Sequence, residues 1–195
     1  MDETRQTFLD ELYAHGRAHD EQREDRLQRL RNVEPETAEL LGVLVRAMNA
    51  TRVLEIGTSN GYSTIWLADA AEAVGGSVVS LEVEPERTEL ARSNLTEAGV
   101  AGLVELRTED AGAFLAAAGD GAWDLVFLDA ERPAYVGYWP DLVRVLRPNG
   151  LLVVDNTLSH ANQLVEFSEL VHEHEGVTST LVTVGAGVLL VVKSP

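Results

Sequence analysis

The sequence predicts a doubly wound α/β domain with an N-terminal helical extension, and three observations carry that reading. From Arg52 onward, short β-rich apolar runs alternate with longer segments of helical spacing. The runs are apolar throughout rather than at every second residue, as expected of strands covered on both faces of a parallel sheet. The last two runs are joined by Gly185-Ala186-Gly187, which reads as the turn of an antiparallel hairpin.

The elements follow in order. Up to Arg31 the chain is polar and charge-mixed, and Phe8, Leu9, Leu12, Leu27 and Leu30 form a weak helical stripe, so residues 1–33 read as one or two appended surface helices. Pro35 stands at a first helical position, Glu36 and Glu39 lie near the positive helix end, and Leu40, Leu41, Leu44 and Met48 make a core-facing stripe. Strands are expected at 53–56, 78–81, 104–106, 125–128, 151–154, 178–184 and 187–193. Helices are expected at 62–74, 85–98, 111–118, 134–146 and 158–174. No repeat or linker divides residues 1–195, which read as one domain.

Composition narrows the function. Fifteen Lys and Arg against 32 Asp and Glu leave a net charge of −17, which disfavours a nucleic acid or an anionic membrane as partner. There is no cysteine, so thiolate metal sites, disulfides and Cys nucleophiles are excluded. The first residues lack the basic start and apolar run of a secretory signal, and no apolar stretch approaches the roughly 20 residues that span a bilayer. A cytoplasmic protein is the expectation.

Ligands of parallel α/β sheets bind beyond the carboxyl ends of the strands. The first strand leads through Glu55-Ile56-Gly57-Thr58-Ser59-Asn60-Gly61-Tyr62-Ser63 into a helix. Such a turn lets backbone approach a ligand and aims a helix N-terminus at it, although glycines also serve turns without ligands. Ser59 stands where the dinucleotide fingerprint has its second Gly, which disfavours NAD. The same residues spell G-x-S-x-G, a nucleophile elbow, with Asp129 or Asp155 and then His160 in hydrolase order. Only helical sequence lies upstream, however, and no strand is left to carry the oxyanion loop.

Glu82 ends the second strand, 21 residues beyond Gly61, where an acid can accept from ribose hydroxyls. Loop and acid together suggest a nucleoside-bearing ligand; a solvated charge before the next helix is the plain alternative. Asp110-Ala111 follows the third strand, placed to meet an adenine edge or to cap a helix. Asp129 and then Asp155-Asn156 end the fourth and fifth strands. If these strands are neighbours, about 4.8 Å apart, one hard cation such as Mg²⁺ can touch oxygens from both; helix capping by Asp129 or Asp155 is the plain alternative. His15, His19, His172 and His174 read as surface residues, and Tyr135, Tyr138, Trp139, Leu142 and Leu146 as a helix core stripe, with Tyr135 near Asp129.

Val53 to Gly57, Gly61-Tyr62-Ser63, Glu82, Phe127-Leu128-Asp129 and Asp155-Asn156 together resemble the metal-dependent S-adenosylmethionine O-methyltransferases, the catechol and caffeoyl-CoA group, over residues 33–195. The resemblance implies a Rossmann-like, mostly parallel seven-stranded sheet with a C-terminal antiparallel hairpin, and a homodimer. It implies cofactor contacts from Glu55, Gly57, Ser59, Gly61, Ser63, Glu82, Val83, Asp110, Ala111 and Asp129. Gly57 and Ser63 would meet the methionine end, Glu82 the ribose, and Asp110 with Ala111 the adenine. It also implies a divalent metal, Mg²⁺ or a similar ion, on Asp129, Asp155 and Asn156, and a small vicinal dihydroxy aromatic as methyl acceptor.

Two departures stand out. The family usually has Lys three residues after the first metal Asp, whereas this chain has Arg132, which cannot accept a proton but can stabilise a phenolate. Ala130 and Glu131 replace the aromatic gate expected beside the metal. His160 or water is then left to take the proton, and an S-adenosylmethionine-binding protein of weak activity is the reading opposed to an enzyme.

Overall fold

The computed structural model describes residues 1–195. Helix α1 (Glu3–Glu21) starts at Asp2, whose carboxylate accepts from the Arg5 N–H at 2.8 Å, satisfying one of the unpaired donors of the first turn. It is one helix, and residues 22–34 then run irregularly apart from a short 3₁₀ turn at Arg26–Gln28. Helix α2 (Pro35–Met48) begins at its proline and ends on Asn49 in the left-handed region (φ 49°), as a residue with a short polar side chain allows.

Then come β1 (Arg52–Ile56), α3 (Tyr62–Glu72), β2 (Ser77–Glu82), α4 (Pro85–Glu97), β3 (Val104–Thr108), α5 (Ala111–Ala117) and β4 (Trp123–Leu128). They are followed by α6 (Tyr135–Val145), β5 (Leu146–Val154), α7 (Val165–Glu173), β6 (Val177–Val182) and β7 (Val188–Lys193). The seven strands lie in the order β3-β2-β1-β4-β5-β7-β6, with only β7 antiparallel to its neighbours.

The continuous apolar runs have the expected cause. In β4, Leu125 and Phe127 point into a core formed with α1, α2, α3 and α4, while Val126 and Leu128 point into another formed with α5, α6 and α7. In β5, Leu151 and Val153 face the first core, and Leu152 and Val154 the second. Alternate residues face opposite sides of a strand, so a sheet covered on both sides needs every position apolar. The N-terminal extension joins the first core through the buried Leu9, Leu12 and Val33.

One helix is shorter than its spacing suggests. Residues 158–164 are turns and a 3₁₀ segment, and α7 starts only at Val165. Asn156 adopts φ 62°, and the N–H groups of Thr157, Leu158 and Ser159 donate to Gly187 and Ala186 of the hairpin turn. Those bonds hold the segment after β5 against the hairpin, where a helix would leave them unmade.

At the opposite edge of the sheet, Asp124 ties β4 to β1. Its carboxylate accepts from the Thr51 and Arg52 N–H groups, both at 2.9 Å, and from the Arg52 and Arg147 guanidiniums at 3.0 and 2.8 Å. Burial alone would raise this carboxyl, but these donors hold it down at about 2. Its folded value lies below the unfolded one, so the stability it contributes is present above the ordinary carboxylate range and is lost as pH falls through that value. Asp124→Ala is expected to cost about 2–3 kcal/mol at neutral pH and much less in strong acid. Urea unfolding of both proteins at the two pH values checks the difference.

Candidate active site

The strand order reverses between β1 and β4, which opens a crevice at their carboxyl ends. Parallel register sets Ile56 beside both Leu81 and Leu128, and Leu128 beside Val154. Glu82 at the end of β2 and Gly57, Asp129 and Asp155 just after β1, β4 and β5 therefore meet at one edge of the sheet. They line a cavity of about 1000 Å³, large enough for a nucleoside-sized ligand and a small second molecule.

The loop after β1 is shaped by contact. Gly57 has φ 109°, and a Cβ there would collide with the carbonyl oxygen of Asp129, so only glycine fits. Ser59 (φ 51°) lines the cavity, but its Oγ donates to the Leu30 carbonyl at 2.7 Å. His160 Nδ1 is paired with Ser159 Oγ at 2.9 Å, with no Ser59–His160 hydrogen bond, so the nucleophile elbow is not assembled. Ser59→Ala is expected to lose about 1 kcal/mol of stability, and the protein should show no ester hydrolysis for that change to remove. Hydrolysis of a nitrophenyl ester that disappears in Ser59→Ala would instead establish a serine hydrolase.

Glu82 is buried, and its carboxylate is fixed by backbone donors. Oε2 accepts from Ser59 N–H at 2.9 Å, and Oε1 from Val83 and Glu84 N–H at 2.9 and 3.1 Å. Val83, largely exposed, and Ala111 offer apolar edges beside it in the cavity. Ser63 lines the cavity at the start of α3, whose N-cap, Gly61, provides no side-chain partner for the first-turn N–H groups.

Three of the residues expected to meet the cofactor do not line the cavity. Glu55 is fully buried and does not line the cavity; it accepts from the hydroxyls of Ser63, Thr64 and Ser80. Burial pushes it up to about 7 despite those donors. It holds Ser63 from behind because the β1 pleat turns it away from the loop. Gly61 (φ 86°) lies against Ala91 of α4. Asp110 caps α5 by accepting from Ala113 N–H at 2.9 Å, while its neighbours Glu109 and Ala111 line the cavity.

On the other side of the crevice stand Asp129, Asp155 and Asn156. Asn156 Nδ2 donates to Asp129 Oδ1 at 3.0 Å and to Asp155 Oδ2 at 3.1 Å, while Asp155 Oδ1 is buried without a partner. Burial pushes Asp155 up, and the Asp129 charge adds to it; burial also raises Asp129, against the pull of Arg132 and Arg31. Arg132 is only 5 % exposed, and its guanidinium makes no hydrogen bond, with Nε and Nη1 buried. His160 lines the same wall; burial lowers its pKa below the ordinary 6.5, and Arg132, Arg26 and Arg31 lower it further.

Sequence reasoning missed the N-terminal wall. Arg26 and Arg31 bind Glu131 at 2.7 and 2.9 Å, and Asp20 receives the N–H groups of Leu30 and Arg31. Residues 26–34 thereby line the cavity, as does His19, paired with Asp20 rather than free on the surface. Tyr138 also lines it, whereas Tyr135 is buried with its hydroxyl bridging the Ala130 N–H and carbonyl. His174 packs edge-on against Trp139.

A glycine turn at the switch point, a backbone-fixed acid after β2 and a carboxylate pair after β4 and β5 define a Rossmann-like, nucleoside-cofactor transferase site. Residues 17–194 match the O-methyltransferase family profile. The chain belongs to that family and is an S-adenosylmethionine-dependent O-methyltransferase. It is 38% identical over 165 residues to a catechol O-methyltransferase of Mycobacterium tuberculosis, covering 78% of this chain and 74% of the relative. Among solved structures, the O-methyltransferase TomG of Streptomyces achromogenes, in complex with SAM, superposes with a TM-score of 0.78 at 32% identity, covering 100% of this chain and 91% of TomG. A Bacillus cereus O-methyltransferase in complex with SAH gives 0.78 at 28% identity, covering 100% and 92%. No helix is long and apolar enough to cross a membrane.

Proposed function

We propose that the protein methylates one hydroxyl of a vicinal dihydroxy aromatic, assisted by a divalent cation on Asp129, Asp155 and Asn156. The observation that carries this reading is the pairing of half-buried Asp129 with buried Asp155, whose Oδ1 is orphaned, opening on the same cavity as Glu82. Two like-charged carboxylates side by side, one of them buried, are costly without a cation, and an all-oxygen donor set suits a hard one. Either end of the Asn156 amide fits between the carboxylates, so its oxygen can serve as third donor. The M. tuberculosis relative's activity on catechol points the same way.

S-adenosylmethionine supplies the methyl as a sulfonium, and the cation supplies a Lewis acid toward the acceptor oxygens. Glu82 has acceptor capacity left for a ribose hydroxyl, with Val83 and Ala111 against the base. The start of α3, beside Ser63 and Gly57, where only the Tyr62 N–H has a side-chain partner, Asn60 Oδ1 at 3.3 Å, suits the methionine carboxylate. Arg132 provides unpaired donors for the acceptor oxygen as it becomes a phenolate, and neutral His160 can receive the proton that the hydroxyl loses.

Calorimetric titration of S-adenosylmethionine and S-adenosylhomocysteine with and without Mg²⁺, followed by methylation of catechol, tests the reading. Glu82→Ala is expected to weaken cofactor binding about tenfold or more, because a ribose hydroxyl loses its buried acceptor; unchanged affinity would sink that assignment. Cofactor binding without turnover would favour the weakly active binding protein that Arg132 in place of Lys suggests. The same reading carries a homodimer, which light scattering on the purified protein tests.

A further inference from the structure

In a chain with a net charge of −17, six of the fifteen basic side chains, Arg23, Arg26, Arg29, Arg31, Arg87 and Arg132, line the cavity of the candidate site. The cavity's acids divide by place. Glu82, Glu84, Glu86 and Glu109 follow β2 and β3 at the nucleoside end. At the acceptor end Asp129 and Asp155 face each other, Glu34 takes the Tyr13 hydroxyl, and Glu131 is shared between Arg26 and Arg31. Arg132 has no carboxylate within ion-pair distance and no hydrogen bond, although it is 5 % exposed. Arg31 places its Nε in the same condition, buried and without a partner.

A buried guanidinium with no acceptor is costly, and Arg132 carries five donors where a phenolate oxygen needs one or two. The surplus asks for a second anionic oxygen group, and the planar fork of arginine matches a carboxylate better than a single oxygen. Arg31 and Arg132 line the cavity together with Asp129, Asp155 and His160, and Arg31 Nη1 holds Glu131, the residue next to Arg132, at 2.9 Å, so both guanidiniums belong to the acceptor end of the cavity.

We propose that Arg31 and Arg132 form an anion subsite that selects acceptors carrying a carboxylate on the dihydroxy ring; this rests on the proposed dihydroxy-aromatic acceptor for the same cavity. Arg31 belongs to the N-terminal wall and Arg132 to the turn after β4, so the subsite exists only because Asp20 and Glu131 hold residues 26–31 over the crevice.

The experiment compares kcat/KM for 3,4-dihydroxybenzoate and for its neutral amide, which keeps ring, hydroxyls and shape. The carboxylate is expected to be favoured about tenfold or more, and the ratio to fall toward one in Arg31→Gln and to be kept in part by Arg31→Lys. Equal values for acid and amide in the unaltered protein, or a ratio untouched in Arg31→Gln, would overturn the subsite. Turnover of neither compound would count against the dihydroxy-aromatic acceptor reading. The subsite would then be judged on calorimetric affinities of acid and amide for the S-adenosylhomocysteine complex, where the same tenfold preference supports it and equality refutes it.

Discussion

Asp155→Ala is expected to lower methyl transfer to catechol by about a thousandfold, because a Lewis-acid site worth several kcal/mol loses one of its two charges and each 1.4 kcal/mol is tenfold. Chelator should do the same to the unaltered protein, and Mg²⁺ should restore it. A second readout has the opposite sign. Burial and the Asp129 charge raise Asp155 above its unfolded value. The stability linked to this group is therefore present at low pH and is lost as pH rises through the folded value. Removing the carboxyl without metal should spare that loss, so metal-free Asp155→Asn is expected to melt above the metal-free parent at neutral and alkaline pH. Mg²⁺ should raise the melting temperature of the parent and leave that of Asp155→Asn unmoved. Full activity in excess chelator, or full activity in Asp155→Ala, would refute the metal assignment.

Arg132→Ala should lose about a hundredfold to a thousandfold in kcat at every pH, the size found when one donor to a developing oxyanion is removed from a water-poor site. Arg132→Lys should behave differently. Arginine stays protonated, so in the parent the acceptor proton must leave to His160 or to water. The His160 imidazole, held neutral by burial and by three nearby guanidiniums, is available above its lowered pKa. The rate should then climb with the ionisation of the acceptor hydroxyl. A lysine whose pKa is depressed by those same cations can carry the proton itself. Its rise in rate is therefore expected at lower pH, with activity near neutrality kept or increased. A pH-rate profile of the three proteins on one catechol decides the matter, and an alanine variant as active as the parent would make Arg132 a bystander.

Much of this architecture is written in short-range pattern. The apolar runs at 53–56, 125–128 and 151–154 announce doubly covered strands, because both pleat faces need packing. Topology then carries Gly57, Glu82, Asp129 and Asp155 to one edge, since parallel strands end on the same side. Local reading fails where one residue has two uses. Asp110 is equally good as a helix cap and as a hydrogen-bond acceptor for a base, and only the placed backbone shows it capping α5. Glu55 sits in the right strand, but the pleat turns it behind the loop, onto Ser63, Thr64 and Ser80.

The segments on which substrate choice depends are legible least. Residues 158–164 have helical spacing, yet they form turns because the hairpin turn at Ala186 offers an acceptor to the Leu158 and Ser159 N–H groups. Arg26 and Arg31 reach Glu131 across about 100 residues of chain. Nothing near them in sequence specifies that meeting; it follows from where Leu9 and Leu12 dock α1 against the first core. Periodicity encodes which face of an element is buried and where the element stops, both local properties of the chain. Which distant side chains share a cavity is decided by packing among whole elements, and that is a property of the folded body alone.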